Sequence, residues 1–550
     1  MDIQLYFKNK IKQLLGLSNN KDVSYSAWIK SIEGESFVRV GNGGGDFCIS
    51  FLLFVEEASI SLLKQTIDSI VNQEINSWEL ILVTDIGINF DSLGVQASAV
   101  TVIYEEKLAT LNKYSCINNA LRSIQSDWVT FLDVGDLISP FFMPSISRII
   151  DESNTAEGGK YSAIKIIYTD EDYLERGERH NPCFKPDWNP DYLDNYNYFS
   201  KGVVYQKDCF NDVGGFNSES DSPYHDLALR VTKGLAGKQI LHIPHVLFHF
   251  LLPIEPEVIL RRRYNLAEPV PLVSIIIPTK DSLDLLKPCV EGVLEDTAYK
   301  NIEVIIIDNN SRDLEVLEYL SDLEHDARVL VMHYADDFNF SEMNNQAVKM
   351  AKGELICFLN NDISIIKDDW LHEMTSNAQR SEIGCVGAKL YYPDGMIQHA
   401  GVILGLKGYA SHAHKGFEGN SKGYFNRLVV THNVSAVTAA CLLVKKSIFN
   451  KVGGFDDKNL KIAYNDVDFC LKVREAGYRN LFTPHAELIH HESKSRGKKR
   501  NKEQKKQLKR ESDYLVKKWG EHLFSDPAYN PNLTLLREDF SLGLDRIEHD

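Results

Sequence analysis

The pattern of hydrophobic and polar positions divides the chain into short apolar runs separated by amphipathic stretches. Two of these runs, CISFLLFV at residues 48–55 and VSIIIPT at 273–279, fit strands that are buried on both faces of a sheet. Between such runs, residues 341–352 predict a helix with Ser341 as its N-cap. Buried strands that alternate with helices predict an α/β fold with parallel strands. No apolar run approaches the roughly 18 residues that a membrane-spanning helix needs.

The same order of segments occurs twice, which indicates an internal duplication. A second apolar run ends at Asp85 in the first copy and at Asp308 in the second, and a third ends at Asp136 and Asp362. Each copy continues with VGGF and then with a short helical motif, HDLALR or VDFCLK. We predict five segments: an N-terminal helical extension (1–45), a first domain (46–250), a linker containing three Pro (251–270), a second domain (271–525) and a C-terminal tail (526–550).

Composition and charge narrow the functional classes. The chain has 550 residues, enough for more than one domain, and a net charge of −17, which argues against general nucleic-acid binding. Its nine Cys are scattered, so they predict neither a disulfide framework nor a zinc site, and they fit a reducing cytoplasm. The N-terminal segment lacks the pattern of a signal peptide because Lys interrupts its apolar stretches.

Two segments leave a choice between a surface role and a membrane role. Residues 498–510, KKRNKEQKKQLKR, fit a solvated helix face or a patch that faces anionic lipid headgroups or an anionic acceptor. Near the N-terminus, Leu5, Ile11, Leu14 and Leu15 can share one helix face. That face fits an interfacial helix or a helix that packs on its own protein.

Two carboxylates stand where an α/β sheet binds its ligands, beyond the carboxyl ends of strands. Asp308 can accept hydrogen bonds from a base or a ribose, or it can cap the turn formed by Asn309, Asn310 and Ser311. Asp362 can hold Mg²⁺ or Mn²⁺ between the protein and phosphate oxygens, because such cations take oxygen ligands and need few from protein. The NND sequence around Asp362 is equally compatible with a simple turn.

Longer motifs make a comparison with a known family specific. In the second copy they are SIIIPTKD (274–281), VIIIDNNS (304–311), FNFSEMNNQAVKMAKGELICFLNND (338–362), GAKLYYPDGMIQHAGVILG (387–405), HNVSAVTAACLLVKK (432–446) and the segment that begins YNDVDFCLKVREAGYR (464–497). The first copy adds YTDEDYLERGERHNPCFKPDWNPDYL (168–193). Together, over most of residues 46–525, they resemble glycosyltransferase family 2, in particular its bacterial rhamnosyltransferase-like members with two such domains.

The resemblance implies a fold and a reaction. The fold would be two tandem GT-A (nucleotide-diphospho-sugar transferase) domains with mostly parallel mixed sheets flanked by helices. The reaction would be inverting transfer of a sugar such as rhamnose from a dTDP- or UDP-sugar to a growing cell-surface polysaccharide or lipid-linked glycan, with Mg²⁺ or Mn²⁺. Together with the scattered Cys, the net charge and the basic segment at 498–510, a lipid-linked acceptor predicts a cytoplasmic protein, peripheral on the inner face of the membrane, with the anionic membrane surface as a partner and no nucleic acid.

Matching the family motifs position by position implies a site in the second copy. Asp466 matches the general base, which takes the proton of an attacking sugar hydroxyl. Asp362 matches a metal ligand, and the late His of the family falls on His490 or His491, of which period-two alternation lets only one point inward. The implied nucleotide and phosphate contacts are Thr279, Lys280, Asp281, Asp308, Asn360, Asn361 and Arg496. His399, His412 and His414 fall in the acceptor-side region, where a structural role is the simpler interpretation.

The first copy departs from this pattern at its chemical positions. Gly135 stands where the second copy has Asp362, with Asp136 one residue late, and Tyr224 stands in place of Asp466. Gly has no ligand atom, and Tyr, with a pKa of about 10, is a poor base at neutral pH. These departures predict a degenerate copy that binds the acceptor glycan, donates an interface or retains weak activity.

Three other functions fit parts of the sequence. A sugar nucleotidyltransferase shares the sheet and the metal, but PTKDSLDLL lacks the Gly-rich loop that holds a triphosphate. A non-catalytic carbohydrate-binding protein fits the first copy but not the intact second copy. A bifunctional polymerase with two active sites conflicts with Gly135 and Tyr224. We therefore expect the second copy to carry the chemistry.

Overall fold

The structure is a computed structural model, and it describes residues 23–33, 47–89, 93, 100–104, 112–155, 164–251, 260–492 and 501–544. Arg496, residues 498–500 of the basic segment and Leu5, Ile11, Leu14 and Leu15 lie outside the described residues. None of the helices described is long and apolar enough to cross a membrane.

The first half of the chain forms one mixed sheet in the order β3-β2-β1-β4-β8-β6-β9-β5, with β7 beside β6. The four strands β1 to β4 pair in parallel, and antiparallel pairing begins where β4 meets β8. Its strands are β1 Ile49–Val55, β2 Trp78–Thr84, β3 Val100–Tyr104, β4 Trp128–Asp133, β5 Leu137–Ile138, β6 Ile166–Glu175, β7 Glu178–Cys183, β8 Val203–Gln206 and β9 Ile240–Phe250.

The second half forms a sheet in the order β12-β11-β10-β13-β20-β15-β21-β14, with β16 beside β15 and β19 beside β21. Its strands are β10 Val273–Thr279, β11 Ile302–Asp308, β12 Val329–His333, β13 Leu355–Leu359, β14 Ile363–Ile365, β15 Ile383–Tyr391, β16 Ile397–His399, β17 Val402–Leu404, β18 Ala410–His412, β19 His432–Val434, β20 Cys441–Lys445 and β21 Arg479–His490. Strands β17 and β18 form a separate antiparallel pair. The strand order of the first sheet therefore recurs in the second, as a duplication requires.

Helices cover both faces of each sheet. The α-helices of the first half are Tyr25–Trp28, Ile60–Val71, Lys113–Leu121, Phe142–Thr155, Pro190–Leu193, Lys207–Asp212 and Pro223–Thr232. Those of the second half are Leu283–Glu291, Leu314–Leu323, Phe340–Met350, Trp370–Ala378, Lys446–Lys451, Asn465–Glu475 and Lys502–Trp519. Successive residues of β10 face opposite cores, since Ile276 packs in one hydrophobic cluster and Ile275 and Ile277 pack in another. This architecture confirms the predicted fold class of two tandem α/β domains.

One predicted helix begins at a different cap. The helix starts at Phe340, and its N-cap is Asn339, whose side chain accepts a hydrogen bond from the Glu342 backbone at 3.2 Å. Ser341 is not the cap, because its hydroxyl donates to the Leu460 carbonyl across the domain. Asn and Ser are comparable N-caps, so local preference does not choose between Asn339 and Ser341. The contact of Ser341 with Leu460 leaves Asn339 as the cap.

Polar contacts and the C-terminal segment join the two halves. Asp191 of the first half is buried and accepts hydrogen bonds from Asn433 at 2.7 Å and from Arg380 at 2.5 Å. Asn530 reaches back to the first half, where its amide donates to Asp170 at 2.9 Å and to the Lys185 carbonyl at 2.8 Å. The two sheets are thus held against each other by buried, paired groups rather than by a bare linker.

Candidate active site

A cleft of about 710 Å³ opens at the carboxyl ends of β10 and β13 in the second half. This is the edge of a parallel sheet at which α/β proteins bind ligands. Most of the predicted site residues line it: Thr279, Lys280, Asp281, Asn360, Asn361, Asp362, Asp466 and His490. Two do not line it, Asp308 and His491, and Arg496 lies outside the described residues.

Asp362 and His490 meet at the floor of the cleft. His490 ends β21, where it pairs with Ile363 of β14, so sheet register brings it next to Asp362. Its Nε2 lies 3.1 Å from Oδ1 of Asp362 and 3.3 Å from the amide nitrogen of Asn360. Both Asp362 and His490 are almost fully buried.

His491 faces away from Asp362. Its Nε2 is 2.9 Å from the Ser364 hydroxyl, and its backbone N–H donates to the Asp362 carbonyl at 2.9 Å. Neighbouring residues of a strand point to opposite faces. The geometry therefore favours His490 over His491 as the partner of Asp362 in any cation site.

The donor set at this point suits a divalent cation. The described residues include no group of three or more His, Cys, Asp or Glu able to hold a metal alone. Asp362 and His490 instead offer two ligands 3.1 Å apart, close to the spacing of adjacent ligands on an octahedral ion with bonds of about 2.1 Å. When Nε2 of His490 carries its lone pair, that lone pair faces an oxygen lone pair of Asp362. A cation between them would satisfy both and would replace the Asn360 hydrogen bond to the same nitrogen.

Asp466 lies at the start of the helix Asn465–Glu475, on the wall of the cleft. Its Oδ2 accepts a hydrogen bond from the Ala439 backbone at 3.1 Å, and its Oδ1 accepts one from Val467 at 2.9 Å. Burial is the largest influence on this carboxyl and raises its pKa, against the lowering effect of those hydrogen bonds. A carboxylate with a raised pKa is a better proton acceptor than an ordinary surface Asp.

The nucleotide side of the cleft is built by turns after β10 and β13. The Thr279 hydroxyl accepts a hydrogen bond from the Asn361 amide at 3.0 Å. Asp281 adopts a left-handed conformation with φ of 51°. Its Oδ1 accepts from the backbones of Arg312 at 2.7 Å and Asp313 at 3.1 Å, and these bonds lower its pKa. One carboxylate oxygen of Asp281 thus shapes the loop, which leaves the other for a ligand.

Asp308 ends β11 beside Thr279 but is buried behind the cleft. Its Oδ1 accepts a hydrogen bond from the Ser311 backbone at 3.0 Å, which is the turn cap that the sequence left open. Its Oδ2 lies 3.3 Å from Nδ1 of His333, an exposed residue at the end of β12. His333 was missed in the sequence because a single His after an edge strand carries no signal.

The C-terminal helix Lys502–Trp519 supplies a wall of the cleft that the sequence did not predict. The many Lys residues of this helix obscure its inward face in the sequence. The inward residues follow the helical spacing i, i+3, i+4, i+7. Those residues are Gln504, Gln507, Leu508 and Glu511.

Two of the acceptor-side histidines, the buried His399 and the half-buried His412, lie in contact, and the third packs separately. Nδ1 of His399 lies 2.7 Å from Nδ1 of His412, and burial holds the pKa of each below its usual value. His414 stacks on Phe540 with ring centroids 4.3 Å apart. These contacts support the structural interpretation of the three residues.

Strand register gives the equivalent positions in the first half. β5 pairs Ile138 with Phe248, and β14 pairs Ile365 with Leu488. Counting along both strands from these pairs sets Gly135 on Asp362 and Phe250 on His490. Gly135 has no ligand atom, and its φ of 107° would strain any side chain placed there.

In the first half, a lysine lies at the position equivalent to the cleft of the second half. Lys201 matches Ala440, a residue that lines the cleft of the second half. Its ammonium lies 2.8 Å from Asp133 and 2.8 Å from Asp136, and 4.6 Å from the Phe250 ring centroid. The Lys201 ammonium therefore lies at the first-half position that corresponds to the Asp362–His490 pair of the second half.

Comparison with known proteins identifies the second half. The model of the family described as "Glycosyl transferase family 2" matches residues 274–453. These residues run from the second residue of β10 to beyond β20 and therefore include Thr279, Asp281, Asp308 and the Asn360–Asp362 turn.

Two relatives extend across both halves. The chain is 39% identical over 544 residues to the uncharacterized protein y4gI of Sinorhizobium fredii, covering 90% of this chain and 59% of that protein. It is 31% identical over 542 residues to the O-antigen biosynthesis protein RfbC of Myxococcus xanthus, covering 90% of this chain and 41% of that protein. The chain thus spans less than two thirds of the length of either relative.

Solved structures give a weaker likeness. A mannosyltransferase of Pyrobaculum calidifontis, solved with GDP-Man and Mn²⁺, matches at 15% identity and a TM-score of 0.32, covering 43% of this chain and 62% of that chain. The assignment rests instead on the family match and on the motifs it contains. The chain therefore carries, at residues 274–453, a domain of glycosyltransferase family 2, the family that its motifs resemble.

Proposed function

We propose that the second domain transfers a sugar from a nucleotide-diphospho-sugar to a glycan acceptor, with inversion and with Asp466 as general base. The observation that carries this proposal is the convergence of Asp466, Asp362 and His490 on one cleft, beside the turn at Thr279. The cleft volume of about 710 Å³ suits a ligand of nucleotide-sugar size.

In the proposed reaction the acceptor hydroxyl attacks the anomeric carbon as its bond to the diphosphate breaks. Asp466 takes the hydroxyl proton, and the nucleotide diphosphate leaves with the electron pair of the broken bond. The hydrogen bonds from Ala439 and Val467 fix the direction of the Asp466 carboxylate. Attack from the side opposite the leaving group inverts the configuration of the anomeric carbon.

Asp362 and His490 would hold Mg²⁺ or Mn²⁺ through Oδ1 and Nε2, which lie 3.1 Å apart. When bound, the cation acts as a Lewis acid that neutralises charge on the leaving diphosphate. The turn at Asn360 and Asn361 then keeps Asp362 at the cleft floor, since Asn361 is tied to Thr279.

The donor, acceptor and location follow from the resemblance and from one relative. A role in polysaccharide synthesis is supported by the relative named for O-antigen biosynthesis, whose sequence this chain matches over both halves. We propose a dTDP- or UDP-sugar donor, with rhamnose as the first sugar to test, and a lipid-linked glycan acceptor. The basic segment at 498–510 would then bring the protein to the inner face of the cytoplasmic membrane as a peripheral protein.

The proposed reaction is tested by incubating the protein with a panel of nucleotide sugars, Mn²⁺ and a synthetic lipid-linked acceptor. We expect release of a nucleotide diphosphate with one donor or a few, and loss of release in excess chelator. Full release in chelator would overturn the metal requirement. No acceptor-dependent release from any donor would overturn the transfer reaction itself.

A further inference from the structure

We propose that Glu511 is a positioning residue that holds Asp466 in its working place, an inference that rests on the proposed function. Glu511 lies on the helix Lys502–Trp519 and is 3% exposed. Its side chain reaches the loop that leads into the helix Asn465–Glu475, at whose start Asp466 lies. Glu511 touches the backbone of that loop rather than Asp466 itself.

The carboxylate of Glu511 accepts hydrogen bonds from three consecutive backbone N–H groups. Its Oε1 accepts from the N–H groups of Lys461 at 3.1 Å and Ile462 at 3.3 Å, and its Oε2 accepts from Ala463 at 2.7 Å. The Gln507 amide donates a further bond to Oε1 at 3.0 Å. Hydrogen bonds to an ionised acceptor are stronger than neutral ones, so this arrangement fixes the path of residues 461–463.

The path of this loop matters because its last residue is in an unfavourable conformation. Tyr464 has φ of 60° and ψ of 9°, the left-handed region that bulky residues rarely occupy. Surrounding contacts must hold such a residue in place. Two residues later the chain carries Asp466, so a relaxation at Tyr464 would turn the carboxylate away from the cleft.

A second contact holds the opposite side of the loop. The Ser341 hydroxyl donates to the Leu460 carbonyl, and Asn465 donates to the Ser341 hydroxyl at 3.2 Å. Residues 460–465 therefore lie between Ser341 on one side and Glu511 on the other. Of these two contacts, Glu511 supplies the one that carries a charge.

The C-terminal helix is anchored independently of Glu511. The Trp519 ring N–H donates to Asp468 at 2.8 Å, and the Tyr514 hydroxyl donates to Asp456 at 2.9 Å. Loss of the Glu511 charge should therefore loosen the loop without releasing the helix. This separation makes the proposal testable in the full-length protein.

The test compares Glu511→Gln with Glu503→Gln, a control on an exposed face of the same helix. With the donor found in the panel above, we expect Glu511→Gln to lower kcat by about 10- to 100-fold, the cost of a small misplacement of a reacting group. The KM for the donor should stay within about twofold, because Glu511 acts on the base side of the cleft. Glu503→Gln should leave both constants unchanged.

A double-mutant cycle separates positioning from a general structural role. In an Asp466→Asn background, Glu511→Gln should cost little further activity, because the group it positions is already absent. If the two losses multiply instead, Glu511 does not act through Asp466 and the proposal is wrong.

Hydrogen exchange keeps the inference testable even if the transfer assay fails. We expect amides of residues 461–463 to exchange faster in Glu511→Gln than in Glu503→Gln, since one of the two acceptor oxygens becomes an NH2 donor and the charge is lost. Unchanged exchange there would overturn the proposal. A wild-type rate in Asp466→Asn would instead overturn the proposed function, and the exchange result would still decide whether Glu511 holds the loop.

Discussion

At the scale of single residues, the two halves place different groups at equivalent points. Asp466 lies at the start of its helix with two backbone N–H groups on its oxygens, and burial raises its pKa. Tyr224 lies at the same point of the helix Pro223–Thr232, with its ring against Tyr114 and Phe216. Burial raises the pKa of Tyr224 further above that of an ordinary tyrosine. Only Asp466 is therefore able to accept a proton near neutral pH.

We expect transfer to fall as the solution becomes more acidic, because Asp466 works only when ionised. The midpoint should lie above the value of about 3.9 for an ordinary Asp, since burial raises this pKa. The proton is bound more tightly in the folded state, so this group's contribution to stability is complete below about 3.9 and is lost as pH rises through the folded pKa. The measurement is kcat/KM between pH 4 and pH 8, with thermal melts at each pH. An acidic midpoint below 3.9 would contradict this assignment.

The histidine pair offers a second test at this scale. His490→Gln removes the partner of Asp362, whereas His491→Gln removes a ring that bonds Ser364. We expect the concentration of Mn²⁺ needed for half-maximal transfer to rise by roughly tenfold or more for His490→Gln. His491→Gln serves as the matched control and should change it by less than about twofold. Equal effects would show that the cation site was placed on the wrong atoms.

At the scale of helices and strands, the sequence pattern predicted those elements whose burial shows in their own residues. Strands such as β10 were visible because they are buried on both faces, and the cleft was visible because polar residues follow those strands. The inner face of the helix Lys502–Trp519 was not visible in the sequence, because lysines dominate its pattern and its few buried positions depend on tertiary packing. The role of Asp308 was also undecided, since a turn cap and a ligand contact require the same residue.

The outer face of that helix is expected to bind anionic membranes. Lys505 and Lys506 are exposed, and each basic group near a charged surface contributes about 1 kcal/mol. We expect the protein to sediment with vesicles containing phosphatidylglycerol at low salt and to dissociate as salt shortens the Debye length to about 8 Å. A Lys505→Glu, Lys506→Glu variant should bind roughly tenfold less or weaker still.

The matched control for the membrane test replaces two Lys by Glu at a different place on the surface, so that the net charge changes by the same amount. Lys349 and Lys352 are exposed near the end of the helix Phe340–Met350, so Lys349→Glu, Lys352→Glu alters net charge equally. This control should bind vesicles nearly as well as the wild type. Equal loss in both variants would mean that net charge, and not the C-terminal helix, drives the association.

At the scale of the whole molecule, two copies of one architecture carry different residues at equivalent positions and are held together by polar contacts. Asn530 near the C-terminus bonds Asp170 of the first half, and Asp191 of the first half bonds Asn433 and Arg380 of the second. The first half keeps the fold but has Lys201 between Asp133 and Asp136. These contacts favour a first half that supports the second rather than a second catalytic centre.

This division of labour predicts one catalytic cation per chain. Titration of Mn²⁺ in the presence of the donor's nucleotide diphosphate, followed by electron paramagnetic resonance, should give one tight site. The site should disappear in Asp362→Asn, because the carboxylate ligand is lost. Two tight sites in the wild type would show that the ammonium of Lys201 has not taken the place of a metal in the first half.

Asp466→Asn and Tyr224→Phe, compared in one transfer assay, test directly which half of the chain is catalytic. Asp466→Asn keeps the shape and removes the base, so the rate should fall by about 10² to 10⁴, with donor binding largely retained. It should unfold no earlier than the wild type at neutral pH, because it removes a charge that burial disfavours. Tyr224→Phe removes only one hydroxyl, and transfer should stay close to the wild-type rate. Loss of transfer in folded Tyr224→Phe, or wild-type transfer in Asp466→Asn, would place the catalytic centre in the other half.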